Sequence, residues 1–332
     1  MTVLRASGLV PAAAIAVAWG LYVAGNGLVP GAVALGTVPV LLALPMARGR
    51  WAAGLGVLLV VGDVAFAATR VGAVDAYRRL GDGDPVAYCE DGRCGVRPPV
   101  YASLIREGES AAAGIALMTV VGTIRAVDNG TLADAAAAKY AALDRLRAGR
   151  PGPNALVLRS TPDRVRETIA MPPEWSPGDP PVPAVIFLHG YGGALTTYVS
   201  ALRERPAFDR VAIVAPAGSF AGDWWSDDGR AVVARTLDTL PAGIDRGRVA
   251  LVGLSNGAVG AVVVAADRAL AARLTSVVAL NGAAGPDAFG APERLGIVAA
   301  ERDQNFSLAG IREVVEALRA AGTEVTLTVV PG

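Results

Sequence analysis

The second half of the chain carries six short apolar runs, each closed by glycine, proline or a polar turn. They are AVIFLHG (184–190), RVAIVAPAG (210–218), RVALVGLSNG (248–257), SVVALNG (276–282), LGIVAAERD (295–303) and VTLTVVPG (325–332). Helix-forming stretches such as AVGAVVVAADRALAARL (258–274) and LAGIREVVEALRAAG (308–322) separate most of them. Runs that are apolar at nearly every position suit strands covered on both faces, and alternation with helices is the pattern of a parallel sheet. The predicted fold class is therefore α/β, a doubly wound and mostly parallel sheet. Two earlier segments, ALVLRS (155–160) and RVRETIAMP (164–172), read as a starting pair of strands.

The first third is different. No charged residue falls between Arg5 and Arg48, an uncharged run of 42 residues in a chain of 332. About 20 apolar residues cross a bilayer as a helix. With the turn formers GNGLVPG at 25–31, the run reads as a helical hairpin, Leu9–Ala24 out and Pro30–Met46 back. It is too long for a secretory signal peptide. ARGRW (47–51) favours a cytoplasmic exit. Trp51–Thr69, interrupted by Asp63, is a third candidate span, and 110–124 is a fourth. The predicted organisation is a membrane region over 1–127 with three or four transmembrane helices, a connector helix over 128–152, and a catalytic domain over 153–332. Three spans place that domain outside the cell and four place it inside. The shortness and Ala/Gly content of 110–124 lean toward three.

Cys89 and Cys94 are the only cysteines, in a predicted loop over 70–109. They read as a disulfide, which suits an extracytoplasmic loop, or as two free thiols. Net charge is zero, so nothing favours nucleic acid. No phosphate loop, dinucleotide pattern or metal-ligand cluster is visible, and no cofactor or metal is expected.

The chemistry concentrates in GLSNG (253–257), a G-x-S-x-G pattern lying after an apolar strand and before a helix. Two glycines around a sharp turn leave room for a strained Ser255 whose hydroxyl stands above the sheet. The plainer reading is a strand-to-helix turn with Ser255 as a helix cap. FLHGYGG (187–193) adds a glycine-rich turn after an earlier strand. Such a turn, here His189, Gly190, Tyr191 and Gly192, can aim backbone N–H groups at a developing oxyanion. The donors expected are the amides of Tyr191 and Asn256. His189, the only histidine, reads as a loop-shaping residue rather than a base. Asp303 is placed to orient a histidine, with Asp287 in reserve. Trp224 and Trp225, in SFAGDWWSDDGR (219–230), follow a strand's C-terminal end, where open sheets bind ligands, and are expected to wall the substrate pocket. Asp223, Asp227 and Asp228 read as solvated loop charges.

In this order these residues resemble the α/β-hydrolase superfamily over roughly 155–332. FLHGYGG, the PAG…DWW loop and GLSNGA are similar to the esterase group that contains feruloyl esterases, polyhydroxybutyrate depolymerases and dienelactone-hydrolase-like proteins. Dienelactone hydrolases proper use cysteine where this chain has Ser255. The resemblance implies the chain order Ser, Asp, His, with the histidine in a loop after the last strand. VTLTVVPG reaches the end of the sequence just before that loop, so the sequence is expected to be C-terminally truncated. The function implied is a serine hydrolase of carboxylic esters on a multi-pass anchor in a bacterial cell membrane, with the lipid bilayer and a small-molecule ester as partners. A peptidase or acyltransferase on the same scaffold, and a catalytically dead binding or sensing module, are the alternatives.

Overall fold

The structure is a computed structural model; it describes residues 85–99, 101–104, 106–120, 126–147, 152–303 and 305–331. The expected membrane hairpin and the third candidate span lie outside the described residues.

Nine strands form one sheet in the order β2-β1-β3-β5-β4-β6-β7-β8-β9. The strands are β1 (Val86–Glu90), β2 (Arg93–Cys94), β3 (Arg166–Ala170), β4 (Val182–Leu188), β5 (Ala212–Pro216), β6 (Ile244–Leu254), β7 (Ser276–Leu280), β8 (Arg294–Ala300) and β9 (Glu324–Val330). From β5 to β9 every neighbouring pair is parallel. β3 runs antiparallel to β5 and to β1. All six apolar runs are strands, and the mixed α/β sheet is consistent with the α/β-hydrolase fold expected. Of the starting pair, only RVRETIAMP contributes a strand. Residues Ala155–Val157 form a 3-10 turn capped by the Asn154 side chain.

The helices are α1 (Tyr101–Leu104), α2 (Glu107–Val120), α3 (Ala126–Leu146), α4 (Thr197–Arg203), α5 (Asp227–Thr239), α6 (Asn256–Ala266), α7 (Arg268–Ala271), α8 (Pro286–Phe289) and α9 (Leu308–Ala320). Alternation along the strands feeds two faces. On β5, Ala212 and Val214 join the main core with Val232 and Val233 of α5 and Val262 of α6. Ile213 between them packs the other way, onto Leu143 of α3 and Val199 of α4. In α9 the apolar period leaves Ile311, Val315 and Leu318 buried, and Ser307 caps the helix by accepting the Gly310 N–H.

Two expectations differ from the structure. The sheet takes β1 and β2 from before residue 150, so the expected boundary does not separate a Cys-containing loop from the catalytic domain. Cys89 and Cys94 face each other across the β1–β2 hairpin and are bridged, with Cys89 buried in the main core. The stretch expected as a connector helix is α3, and its Leu143 packs against the sheet. The fourth candidate span is also tied to the domain. Its helix starts at Glu107, whose buried carboxylate accepts the Ala155 N–H at 2.8 Å, and Ser110 accepts the Asn154 amide at 2.8 Å. A buried carboxylate with protein donors is satisfied here and would be costly in hydrocarbon. Among the described residues no helix is long and apolar enough to cross a membrane.

Candidate active site

Strand β6 ends at Leu254 and α6 begins at Asn256, so a single residue makes the turn. That residue is Ser255, at φ 56° and ψ −118°. A non-glycine residue there is strained, typically by about 1–3 kcal/mol, and persists only when its surroundings hold it. The surroundings are tight. The Ser255 N–H donates to Leu280 O at 2.9 Å, and its carbonyl accepts from Ala258 N at 2.9 Å. A Cβ on Gly257 would lie 2.2 Å from Leu188 O, so only glycine lets α6 come this close to β4. A Cβ on Gly190 would meet Ser255 Cβ at 2.9 Å and its Oγ at 3.4 Å. The glycine-rich turn after β4 therefore lies directly against the serine hydroxyl. Ser255 does not cap α6 through its side chain, which removes the plainer reading of the motif.

The two amides expected as oxyanion donors are open. Asn256 is the first residue of α6, so its N–H has no intrahelical acceptor. Its side chain is occupied elsewhere, donating to Ala221 O at 2.7 Å. Gly192 N–H is used, donating to Phe220 O at 2.9 Å. Tyr191 N–H makes no hydrogen bond among the described residues. The Tyr191 ring is 70% exposed and packs edge-on to Phe220.

His189 is buried, with both ring nitrogens engaged. Nε2 accepts from Gly218 N–H at 3.0 Å, and Nδ1 lies 2.8 Å from Gly190 O. With the Nε2 lone pair taken by an amide, the proton is assigned to Nδ1, which donates to the carbonyl. Burial pushes the imidazole pKa down to about 4. His189 shapes the loop and is neutral at pH 7.

Trp224 departs from its expected role. It is only 1% exposed, and its Nε1–H donates to His189 O at 2.9 Å. Its ring stands edge-on to the imidazole, and Gly218, Gly229 and Gly260 admit it. It is a post beneath the turn, not a wall that a substrate touches. Trp225 is partly exposed and retains that possibility by accessibility alone. Asp223 accepts from Ser219 Oγ, and Asp227 pairs with Arg230. Asp227 and Asp228 lie in the first turn of α5, favourable for its dipole, behind the Ser226 cap.

Asp303 lies in the loop after β8. Its Oδ1 accepts from Asn305 N at 2.8 Å and from Phe306 N at 2.9 Å. These bonds fix one carboxylate oxygen. Asp287 is exposed on α8.

Sequence reasoning missed two supports. Asn281, at φ 47°, accepts the Ala300 N–H on Oδ1 at 2.7 Å and so ties the end of β7 to the end of β8, just before the Asp303 loop. Its only sequence signal is Asn-Gly after a strand, which marks a turn. Glu107 accepts from the Thr196 amide and, at 2.8 Å, from the Thr196 hydroxyl, which holds the end of the glycine-rich turn from 89 residues away. Nothing local could announce that pairing. Among the described residues no group of three or more His, Cys, Asp or Glu could hold a metal ion.

No family model matches the chain, and no curated protein matches it. Solved structures do. A thermostable esterase is 18% identical over 51% of this chain and 51% of its own, with a TM-score of 0.40. The fluorophosphonate-binding serine hydrolase F of Staphylococcus aureus is 13% identical over 51% of this chain and 85% of its own, with a TM-score of 0.40. Esterase 2 of Thermogutta terrifontis is 15% identical over 51% of this chain and 77% of its own, with a TM-score of 0.39. The chain spans about half the length of the thermostable esterase. These structural neighbours are esterases and serine hydrolases.

Proposed function

We propose that the chain is a serine hydrolase of carboxylic esters, held at a membrane by its apolar N-terminal segments 9–24, 30–46 and 51–69. The observation that carries this reading is Ser255, held at φ 56° between two glycines with the glycine-rich turn against its hydroxyl. In the proposed cycle Ser255 Oγ loses its proton to a base and attacks the ester carbonyl. The Tyr191 and Asn256 amides receive the oxyanion. The C–O bond breaks, and the alcohol leaves with the proton taken from Ser255. Water then attacks the acyl-enzyme, the acid departs, and Ser255 regains its proton. His189 does not fit as the base, because both nitrogens are bonded and the imidazole is a poor proton acceptor at a pKa of about 4. The proposal does not give the role of base to His189, and it gives Asp303 the role of orienting the base. The anchor is supported by the uncharged run before Arg48, and an extracytoplasmic position by the bridged Cys89 and Cys94. One observation favours a second reading, a catalytically inactive binding or sensing module: the only histidine is committed to structure.

The test is hydrolysis of p-nitrophenyl acetate by the complete gene product and its Ser255→Ala variant. The proposal expects Ser255→Ala to lose about 10³-fold or more in rate. Equal rates would reject Ser255 as the nucleophile. A folded wild-type protein with no activity would promote the binding-module reading.

A further inference from the structure

We propose that the cleft between α2 and α3 binds a small monocarboxylate with an apolar body. The cleft has a volume of about 290 Å³, near the lower end for small-molecule sites. It is separate from Ser255. Its floor is Leu143, Tyr140 and Arg147, and its walls are Ala112, Ala133 and Ala136. Small side chains leave the space between the two helices open where larger ones would close it.

Arg147 is the feature that calls for a ligand. It is 4% exposed, and its Nε and Nη2 have no hydrogen-bond partner among the described residues. These two nitrogens share one edge of the guanidinium and form a parallel pair of donors that matches a carboxylate. Only glycine fits beside the guanidinium: a Cβ on Gly152 would lie 1.5 Å from Nη1 and 2.6 Å from Nη2. The position of Arg147 is fixed at the end of α3, where its N–H bonds to Leu143 O and Asp144 O at 3.1 and 3.2 Å. A buried cation left unpaired is strongly unfavourable. The buried carboxylate on the same lining does not relieve it, because Glu107 is committed to Thr196, Ala155 and Tyr140.

The remaining charges on the lining select the ligand further. Glu109 Oε2 accepts from Arg106 N–H at 2.9 Å, and Asp144 lies on the wall. Arg106 also lines the cleft, and with Glu109 and Asp144 the acidic groups outnumber it, which disfavours a dianion more than a monoanion. The alanines and Leu143 receive the apolar body.

Calorimetric titration of the full-length protein tests this with three probes: hexanoate, hexanol and inorganic phosphate. Hexanoate is expected to bind saturably, Arg147→Met to weaken it about tenfold or more, and hexanol and phosphate to give no saturable heat. Ala136→Phe fills the cleft without touching the guanidinium and is expected to abolish hexanoate binding while the protein stays folded, so the test stands even if Arg147→Met does not fold. Ser255→Ala is expected to bind hexanoate as the wild type does, which keeps this outcome distinct from any result on esterase activity. Equal binding by Arg147→Met, undiminished binding by Ala136→Phe, hexanol binding as well as hexanoate, tighter binding of phosphate, or no saturable heat from any probe would each overturn the proposal.

Discussion

The turn around Ser255 and the helical hairpin of α2 and α3 are held by opposite means. At the turn, backbone approaches backbone, and glycines at 190, 253 and 257 leave no space to give up. At the hairpin, Glu107 gathers donors from three segments at once, while a cleft stands open beside Arg147. The first region is specified by shape and the second by hydrogen bonds to a single side chain. Shape restricts what can occupy a position. A hydrogen-bonded tether restricts only one atom pair at a time and leaves its neighbours free to vary.

Substitutions in the two regions sharpen that contrast. Gly257→Ala places a methyl 2.2 Å from Leu188 O, with backbone on both sides unable to move. It is expected to destabilise the domain by about 3 kcal/mol or more in urea unfolding and to remove activity. Glu107→Ala strands the Thr196, Ala155 and Tyr140 donors, and about 2 kcal/mol is expected. Glu107→Gln keeps one oxygen to accept from Thr196 and Tyr140 but loses the acceptor for the Ala155 N–H, and is expected to lose less than the alanine variant. If Gly257→Ala proved milder than Glu107→Ala, the distinction drawn between shape and tether would fail.

A different kind of effect, read only as a pH dependence, is expected at Glu167, which is buried on β3 opposite Cys89 with neither carboxyl oxygen hydrogen-bonded among the described residues. Burial pushes its pKa up to about 8 from 4.5, and the nearby Gly92 N–H only partly offsets this. The folded state therefore holds a proton that the unfolded state releases above about 4.5. The stability associated with that proton is complete below pH 4.5 and is lost as pH rises toward 8. Each pH unit in the window removes at most about 1.4 kcal/mol. Glu167→Gln is neutral throughout. Its stability is expected to rise relative to wild type from pH 5 to 8, read as a widening gap in the urea midpoint. A constant gap would contradict the assignment.

The same contrast explains what was legible in the sequence. The six strands declare themselves by continuous apolar runs, because burial on both faces is a property of each run alone. GLSNG is legible because strand, turn and helix are contiguous. Trp224 was misread because its place depends on Gly218 and Gly260 making room, which no nearby residue signals. Sequence alone places α2 and β1 in the membrane region because their partners are distant: Cys89 pairs with Glu167 on β3, and Glu107 with Thr196. Low charge and many alanines look alike in a bilayer and on a packed helix.

The central claim is that Ser255 is a half-buried, strained nucleophile set against two open amides. Treating the full-length protein with an alkyl fluorophosphonate and mapping the adduct by peptide mass spectrometry tests it most directly. The account predicts one adduct per chain, on Ser255, and none in Ser255→Ala. No adduct on a folded protein, or an adduct on another residue that persists in Ser255→Ala, would contradict it.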